Sequence, residues 1–406
     1  MFNPYSQFKL LYSKDIQIES LVIFFHILRK TIFNQRQDMG TASLNGGTAL
    51  LLVCVFLNLW VIVRNKSLIK VSIRNTSFFV YYTIFCLFSI FWSITGESGA
   101  TSIISKGLEI MSSFLALSII LYKIRDVSSC VIYTLYVATI AACCGAYAQG
   151  FAHTNSYTFC AMIGVLLAYG LKRKYKINNI NIFIILNIIC LILGTSSASY
   201  ISFLCGLILL LSSTKKGINI GKTIVVIGCI LLLWHFASED IMKYVFYGHS
   251  EEQIEGGTGR FDIWQQFIDG WKQSPWLGYG YIVGERNLSL MGGMEYIFSA
   301  HNGFLSVLIN TGIIGCVIFG IFVIRTLYYG YIVTIYPNSC RYFGTVYFAV
   351  FCGILVNNMS YPALGSDWNY TFPPLMCVMI LMNTWKYKEN KLPIEISLEK
   401  KAKYYR

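Results

Sequence analysis

Two short stretches of this chain combine residue types that bind anions and accept protons. In the first, Gly256-Gly257-Thr258-Gly259-Arg260 runs into FDIWQQFIDGW and then Gln273-Ser274-Pro275. Phe261, Trp264, Ile268 and Trp271 recur at i, i+3, i+7 and i+10, with Asp262, Gln265, Gln266 and Asp269 opposite. That spacing predicts an amphipathic helix of about three turns, with Thr258 or Gly259 placed to cap it and Pro275 to stop it. Arg260 then falls in the first turn after a glycine-rich entry, where free backbone N–H groups and a guanidinium fork converge on one anion; a phosphate or diphosphate suits both. The plainer reading is an arginine snorkelling to lipid headgroups or pairing with Asp262 or Glu255. The second stretch is Ala300-His301-Asn302, followed by Gly303-Phe304-Leu305 and an apolar helix. A histidine at such a boundary can accept a proton from the aqueous phase, its unperturbed pKa being about 6.5. Packing as an interfacial residue at a helix N-cap accounts for it equally well, and Asn302 is a cap or a supporting partner.

Between the two lie Trp276-Leu277-Gly278-Tyr279-Gly280-Tyr281 and Gly284-Glu285-Arg286. Glycines paired with aromatics can build a sugar-stacking surface, and a simple turn is the commoner cause of the pattern. Metal chemistry has no support. The five histidines are dispersed without HxxxH or HExxH spacing, and the 13 cysteines fall singly or in pairs within apolar runs without a CxxC. Those cysteines read as small polarizable packing residues, and no cofactor is called for.

The elements that must position these residues follow from composition. The chain has 406 residues, is 55% hydrophobic and only 13% charged, with a mean hydropathy of +0.58. Soluble domains carry about 25% charged residues, so a soluble multi-domain enzyme is excluded. At about 20 apolar residues per span, the expected fold is an all-α polytopic transmembrane bundle of 11–12 spans, with one long extracytoplasmic loop domain containing short amphipathic helices. The apolar runs are 44–63, 76–95, 103–122, 127–147, 156–171, 177–194, 198–212, 222–237, 302–324, 343–357 and 371–385. Residues 21–33 are apolar but short and carry His26, Arg29 and Lys30. They read as a poor first span or as an interfacial helix, unless synthesis starts at Met39.

The net charge of +13 has a topological cause. Basic residues cluster at Arg64–Arg74, at Lys123 and Arg125, at Lys172–Lys176, at Lys215, Lys216 and Lys222, and in the tail after Trp385. Nearly uncharged loops alternate with these clusters, as the positive-inside bias predicts. No basic stripe is interleaved with aromatics, so nucleic acid is not expected as a partner. The expected organisation is an N-terminal segment 1–43, a bundle 44–237, an extracytoplasmic segment 238–300, C-terminal helices 301–385 and a basic cytoplasmic tail 386–406. Segment 238–300 holds nine acidic against four basic residues, a net −5, which leaves +18 on the rest of the chain.

The order Thr258-Gly-Arg260-Phe-Asp-Ile-Trp264, Ser274-Pro275-Trp-Leu-Gly278-Tyr-Gly280, His301-Asn302-Gly-Phe-Leu305 and Thr311-Gly312-Ile-Ile-Gly315 resembles the central domain shared by O-antigen ligases and O-antigen polymerases, over about residues 195–320. The resemblance implies a metal-independent glycosyltransferase of the bacterial inner membrane with its active site facing outward. Its partners would be an undecaprenyl-diphosphate-linked oligosaccharide donor, a glycan acceptor, membrane lipids and a chain-length regulator. By the same resemblance Arg260 holds the diphosphate as the glycosidic bond breaks, and His301 is general base for the acceptor hydroxyl. The family often carries a second arginine in a Thr-Gly-Ser-Arg-Gly stretch; the matching residues here are Thr195-Ser196-Ser197-Ala198-Ser199-Tyr200. Either Ser196, Ser197, Ser199 and Tyr200 bind phosphate oxygens as neutral donors, or Arg286 or Lys272 supplies the charge. A polymerase of repeat units is the first reading, and a ligase to lipid A core or protein is its same-chemistry alternative. A lipid-linked glycan transporter would place ionisable residues near mid-membrane, whereas the charges here lie chiefly in loops. A structural scaffold is the remaining reading.

Overall fold

The computed structural model describes residues 14–32, 46–93, 96–124, 127–148, 154–174, 179–214, 217–219, 221–225, 227–228, 260–291, 299–335, 341–365 and 371–389. The protein is all-α and polytopic. Its helices in chain order are α1 (Lys14–Ile32), α2 (Gly46–Arg64), α3 (Lys66–Asn75), α4 (Ser77–Phe88) with a 3-10 turn (Ser89–Phe91), α5 (Gly96–Lys123), α6 (Val127–Tyr147), α7 (Thr154–Lys174), α8 (Ile180–Leu193), α9 (Ser197–Ser212), α10 (Arg260–Trp271), α11 (Gly284–Met291), α12 (Gly303–Ile335), α13 (Arg341–Asn357) and α14 (Phe372–Glu389). A two-residue antiparallel ladder, Ser213–Thr214 with Gly217–Ile218, follows α9. Gly99–Lys123, Val127–Tyr147, Thr154–Lys174 and Gly303–Ile335 are each long and apolar enough to cross a membrane, and six shorter apolar helices accompany them. Ten of the eleven apolar runs become these helices. Run 222–237 lies largely outside the described residues, as do Thr258, Gly259 and the rest of segment 238–259.

Three differences from the sequence reading have physical causes. Residues 66–75 form a helix rather than a loop, because Leu68 and Ile69 reach the core while Lys66 and Arg74 stay exposed. Helix α12 runs eleven residues past the expected end and is broken inside, at Gly312. Residues 21–33 belong to α1, which is inverted relative to a soluble helix. Its exposed face is apolar, with Ile18, Leu21 and Leu28, while Glu19, His26 and Arg29 are buried. An interfacial helix would turn its charges to water, so α1 is a bundle helix.

The polar face of α1 meets its partners inside. Glu19 is held by Lys123 Nζ at 2.8 and 2.9 Å and by Asn65 Nδ2 at 2.9 Å. Farther along, the Arg29 guanidinium pairs with Glu109, and His26 Nδ1 stands 3.9 Å from the same carboxylate. The Asn58 amide nitrogen lies within 3.0 Å of His26 Nε2 and 2.8 Å of Ser113 Oγ. Glu109 precedes Lys123 by fourteen residues, about 21 Å along α5, so this second group is deep in the bundle. Arg29 and Glu109 are thus charges placed inside the bundle, not in its loops.

Side-chain contacts sort the helix ends into two layers. Glu19, Asn65 and Lys123 share one end. Arg173 donates to Leu210 O at 2.6 Å, Tyr342 to Gly170 O at 2.6 Å, and Arg341 to Thr334 O at 2.9 Å. The starts of α1 and α13 and the ends of α2, α5, α7, α9 and α12 therefore carry the basic clusters. The start of α12, the end of α13, the starts of α7 and α9, and helices α10 and α11 lie at the other.

Removing one member of a buried ion pair leaves an uncompensated charge, at a cost of about 3–5 kcal/mol, whereas apolar replacement of both is near neutral. Glu109→Gln is therefore expected to lower the melting temperature of detergent-purified protein sharply. The double substitution Arg29→Met with Glu109→Leu should recover most of the loss.

Candidate functional site

The site end is organised by a break in a helix. Gly312, in α12, adopts φ 63° and ψ −168°. In a continuous helix the N–H groups of Ile313 and Ile314 would bond the carbonyls of Ile309 and Asn310. Instead Ile313 N donates to Pro275 O at 2.9 Å and Ile314 N to Trp276 O at 3.2 Å, while Ile309 O and Asn310 O each accept, at 3.0 Å, from Tyr279 N and Gly280 N. Two helical bonds are thus exchanged for four to segment 275–280. The approach requires glycine on both sides. A Cβ on Gly312 would lie 2.3 Å from Trp276 O, and one on Gly278, at φ 66°, 2.4 Å from Ile309 O. The segment is also pinned to the end of α4, by Trp92 Nε1 to Leu277 O at 3.0 Å and Tyr281 N to Ser89 Oγ at 2.9 Å. Tyr279 and Tyr281 are buried, so this glycine-aromatic stretch is a docking segment; Trp276 alone of its aromatics is exposed.

That anchored segment carries α10 before it and α11 after it. Helix α10 begins at Arg260 and stops at Trp271, ahead of Pro275, as the spacing predicts. Its inward stripe is Trp264, Phe267, Ile268 and Trp271, with Phe267 fully buried, while Phe261 is exposed. The two helices close at Gly270, where an added Cβ would fall 2.3 Å from Leu288 Cδ1.

The Ala300 peptide is where these parts meet. Trp264 Nε1 donates to Ala300 O at 2.8 Å, and Ala300 N donates to Glu285 Oε1 at 3.2 Å. The next residue, His301, is half-buried with φ 50°, and its N–H reaches Ser299 Oγ at 3.2 Å. Asn302 is the N-cap of α12, its Oδ1 accepting from Phe304 N at 3.0 Å and Leu305 N at 3.2 Å. Arg260 is one turn before Trp264, about 6 Å along the axis, and Arg286 adjoins Glu285. Arg260 and Arg286 are thus carried by the two helices, α10 and α11, whose Trp264 and Glu285 hold Ala300. Arg260 is half-buried, and desolvation pulls its pKa below the usual arginine value; partial loss of water raises the benefit of an anion beside it.

The remaining expected residues fall in three places. Ser199 is buried, its hydroxyl 2.8 Å from Thr158 Oγ1 and 3.3 Å from Asn357 Nδ2. Tyr200 donates to Leu191 O at 3.1 Å, at the end of α8. Ser196 caps α9 through Ser199 N at 3.4 Å, Ala198 is buried and Ser197 is half-buried. This turn reaches the histidine indirectly, because Asn358, next to Asn357, accepts Gly303 N at 2.9 Å. Lys272 is at the far end of α10, about 18 Å from Arg260. It pairs with Asp269 at 2.7 Å, and this bond, with that from Gln265, holds the Asp269 pKa down. Arg260, Arg286 and Asn302 thus stand on the three helices that meet around Ala300 and His301, the serine turn is tied to the start of α12 through α13, and Lys272 is at the far end of α10. Three participants are absent from the sequence reading as site residues: Glu285, Trp264 and Asn358. Glu285 had a local signal, an acid in the first turn of a short helix, but its partners are 15 and 21 residues away. No group of histidine, cysteine and acidic side chains able to hold a metal occurs among the described residues.

Residues 182–320, which run from α8 through the break in α12, match the family model described as O-antigen ligase. The matched stretch covers about a third of the chain. It includes every candidate residue named above apart from Asn357 and Asn358, which lie beyond it on α13 and the following turn. No curated protein matches the chain. The domain match supports membrane glycosyltransferase activity of the O-antigen ligase type.

Left-handed backbone costs a non-glycine residue roughly 1–2 kcal/mol, and the close approaches add to it. Gly312→Ala and Gly278→Ala are each expected to lower the melting temperature and folded yield. Gly320→Ala on the same helix, where a Cβ meets nothing within 4 Å, should be neutral or slightly stabilising.

Proposed function

We propose that the protein polymerises lipid-diphosphate-linked oligosaccharide repeats of a surface polysaccharide at the outer face of the bacterial inner membrane. The observation that supports this reading is that α10 and α11, which carry Arg260 and Arg286, both hold Ala300, the residue before His301, through Trp264 and Glu285. In this reading the basic end of the bundle is cytoplasmic, and the end bearing α10 and α11 faces outward. No nucleotide sugar is available there, so the leaving group arrives on a lipid. His301 accepts the proton of the acceptor hydroxyl as its oxygen bonds the anomeric carbon. The bond from that carbon to the diphosphate oxygen breaks, and its electron pair leaves with undecaprenyl diphosphate. Arg260 offsets the charge on that oxygen from the first turn of α10, where backbone N–H groups add to it. Arg286 is the second cation, because the hydroxyls of Ser196, Ser199 and Tyr200 are engaged within the bundle and Lys272 is distant; Ser197 is the member of that turn left to contact the donor. Asn302 orients the start of α12.

Transfer of the finished glycan to lipid A core or protein uses the same chemistry and is the alternative within this class. The deep Arg29–Glu109 pair is the observation that favours a lipid-linked glycan transporter. That pair is mutually compensated, and it lies on α1 and α5, outside the domain match.

In a strain lacking the protein, a gel resolving single repeats should show one-repeat caps without a ladder; long polymer accumulating on the lipid carrier would instead identify a ligase. Arg260→Ala and His301→Ala, at equal protein level, should abolish the ladder. Arg260→Lys keeps the charge without the bidentate fork and should retain only part of it. Elongation of lipid-linked substrate by detergent-purified protein, with no second compartment, would eliminate transport as the main function. Unchanged ladders in both alanine variants would sink the catalytic reading.

A further inference from the structure

We propose that Glu285 is a positioning residue for His301, acting through Ala300, the residue that precedes it; the inference rests on the catalytic reading of His301. One carboxylate oxygen of Glu285 accepts both from Ala300 N and from the Ser306 hydroxyl, so it spans the residue before His301 and the second turn of α12. In the next peptide unit, the one that leads into His301, the Trp264 indole holds Ala300 O at 2.8 Å. Ala300 is fully buried, and the two peptide units that meet at its Cα are each held, one by Glu285 and the other by Trp264. Glu285 is itself fixed, since its N–H donates to Asn310 Oδ1 at 3.1 Å and Gly284 N bonds Gly280 O at 2.8 Å. An acid in the first turn of α11 also lies at the favourable end of the helix dipole.

His301 needs this clamp, because φ 50° is a conformation that most L residues avoid. A freed peptide would relax and carry the imidazole away from the acceptor hydroxyl. Misplacement by about 1 Å costs a reaction on the order of 10²-fold.

The test is steady-state kinetics of detergent-purified full-length protein with lipid-diphosphate-linked repeat extracted from the strain's own membranes. Glu285→Ala is expected to lower kcat by about 10²-fold with donor KM within twofold. Glu285→Gln keeps an acceptor oxygen and should restore most of that loss. Trp264→Phe keeps the ring and removes the N–H, and it should lower kcat about tenfold with donor KM unchanged; it serves where Glu285→Ala does not fold. A folded Glu285→Ala or Trp264→Phe protein with wild-type kcat overturns the proposal, as does Glu285→Gln being as impaired as the alanine variant. His301→Ala separates the two levels of the argument. If it is inactive while Glu285→Ala is unaffected, the positioning role alone fails; if it is active, the catalytic reading fails and this inference with it.

Discussion

Four backbone hydrogen bonds between segment 275–280 and the break in α12 fix the rest of the site. A helix interrupted inside an apolar bundle leaves carbonyl and amide groups without partners, at a cost of about 1–3 kcal/mol each when buried. Here Pro275, Trp276, Tyr279 and Gly280 supply those partners, so the break and the docked segment stabilise one another and neither persists alone. Because α10 ends just before this segment and α11 starts just after it, both short helices inherit its position. Their side chains Trp264 and Glu285 then hold Ala300, one at its C=O and the other at its N–H. The geometry around His301 is in this sense a consequence of a backbone exchange one turn or more away.

The rest of the bundle is organised by the opposite use of polarity. Apolar side chains of α1, α2 and α8 face outward, among them Leu21, Phe56 and Ile185, while Glu19, Glu109, Asn58 and Asn187 are buried. In lipid this arrangement is stable because each inward polar group finds another, as Glu19 does in Lys123 and Asn187 in Thr139 at 2.8 Å. The same logic reaches the site. The Ser199 hydroxyl, lying between Thr158 and Asn357, joins the turn before α9 to the end of α13, and Asn358 carries that link on to Gly303.

Much of this was legible in the sequence, for identifiable reasons. Spans such as 127–147 are set by composition over a whole window, which a single sequence records. Helix α10 was legible because its apolar stripe repeats locally and Pro275 stops it. The exposed face of Phe261 was not, since burial of the first turn depends on what packs above it. The glycines of 278 and 312 stood in recognisable motifs, yet nothing local says that they face each other across 34 positions. Glu285 was hidden for the same reason, its role existing only through Ala300 and Ser306. Helix α1 misled by its charges: a histidine and an arginine weaken a span when averaged, and they identify a buried helix only once Glu109 is in view.

In the proposed function a lipid diphosphate is held between the first turn of α10 and His301. An experimental density map of the protein bound to undecaprenyl diphosphate tests this most directly. Diphosphate density is expected within hydrogen-bond reach of the Arg260 guanidinium and beside the His301 imidazole, with Arg286 on its other flank. Diphosphate density at the basic end of the bundle, with Arg260 turned toward lipid headgroups, would contradict it.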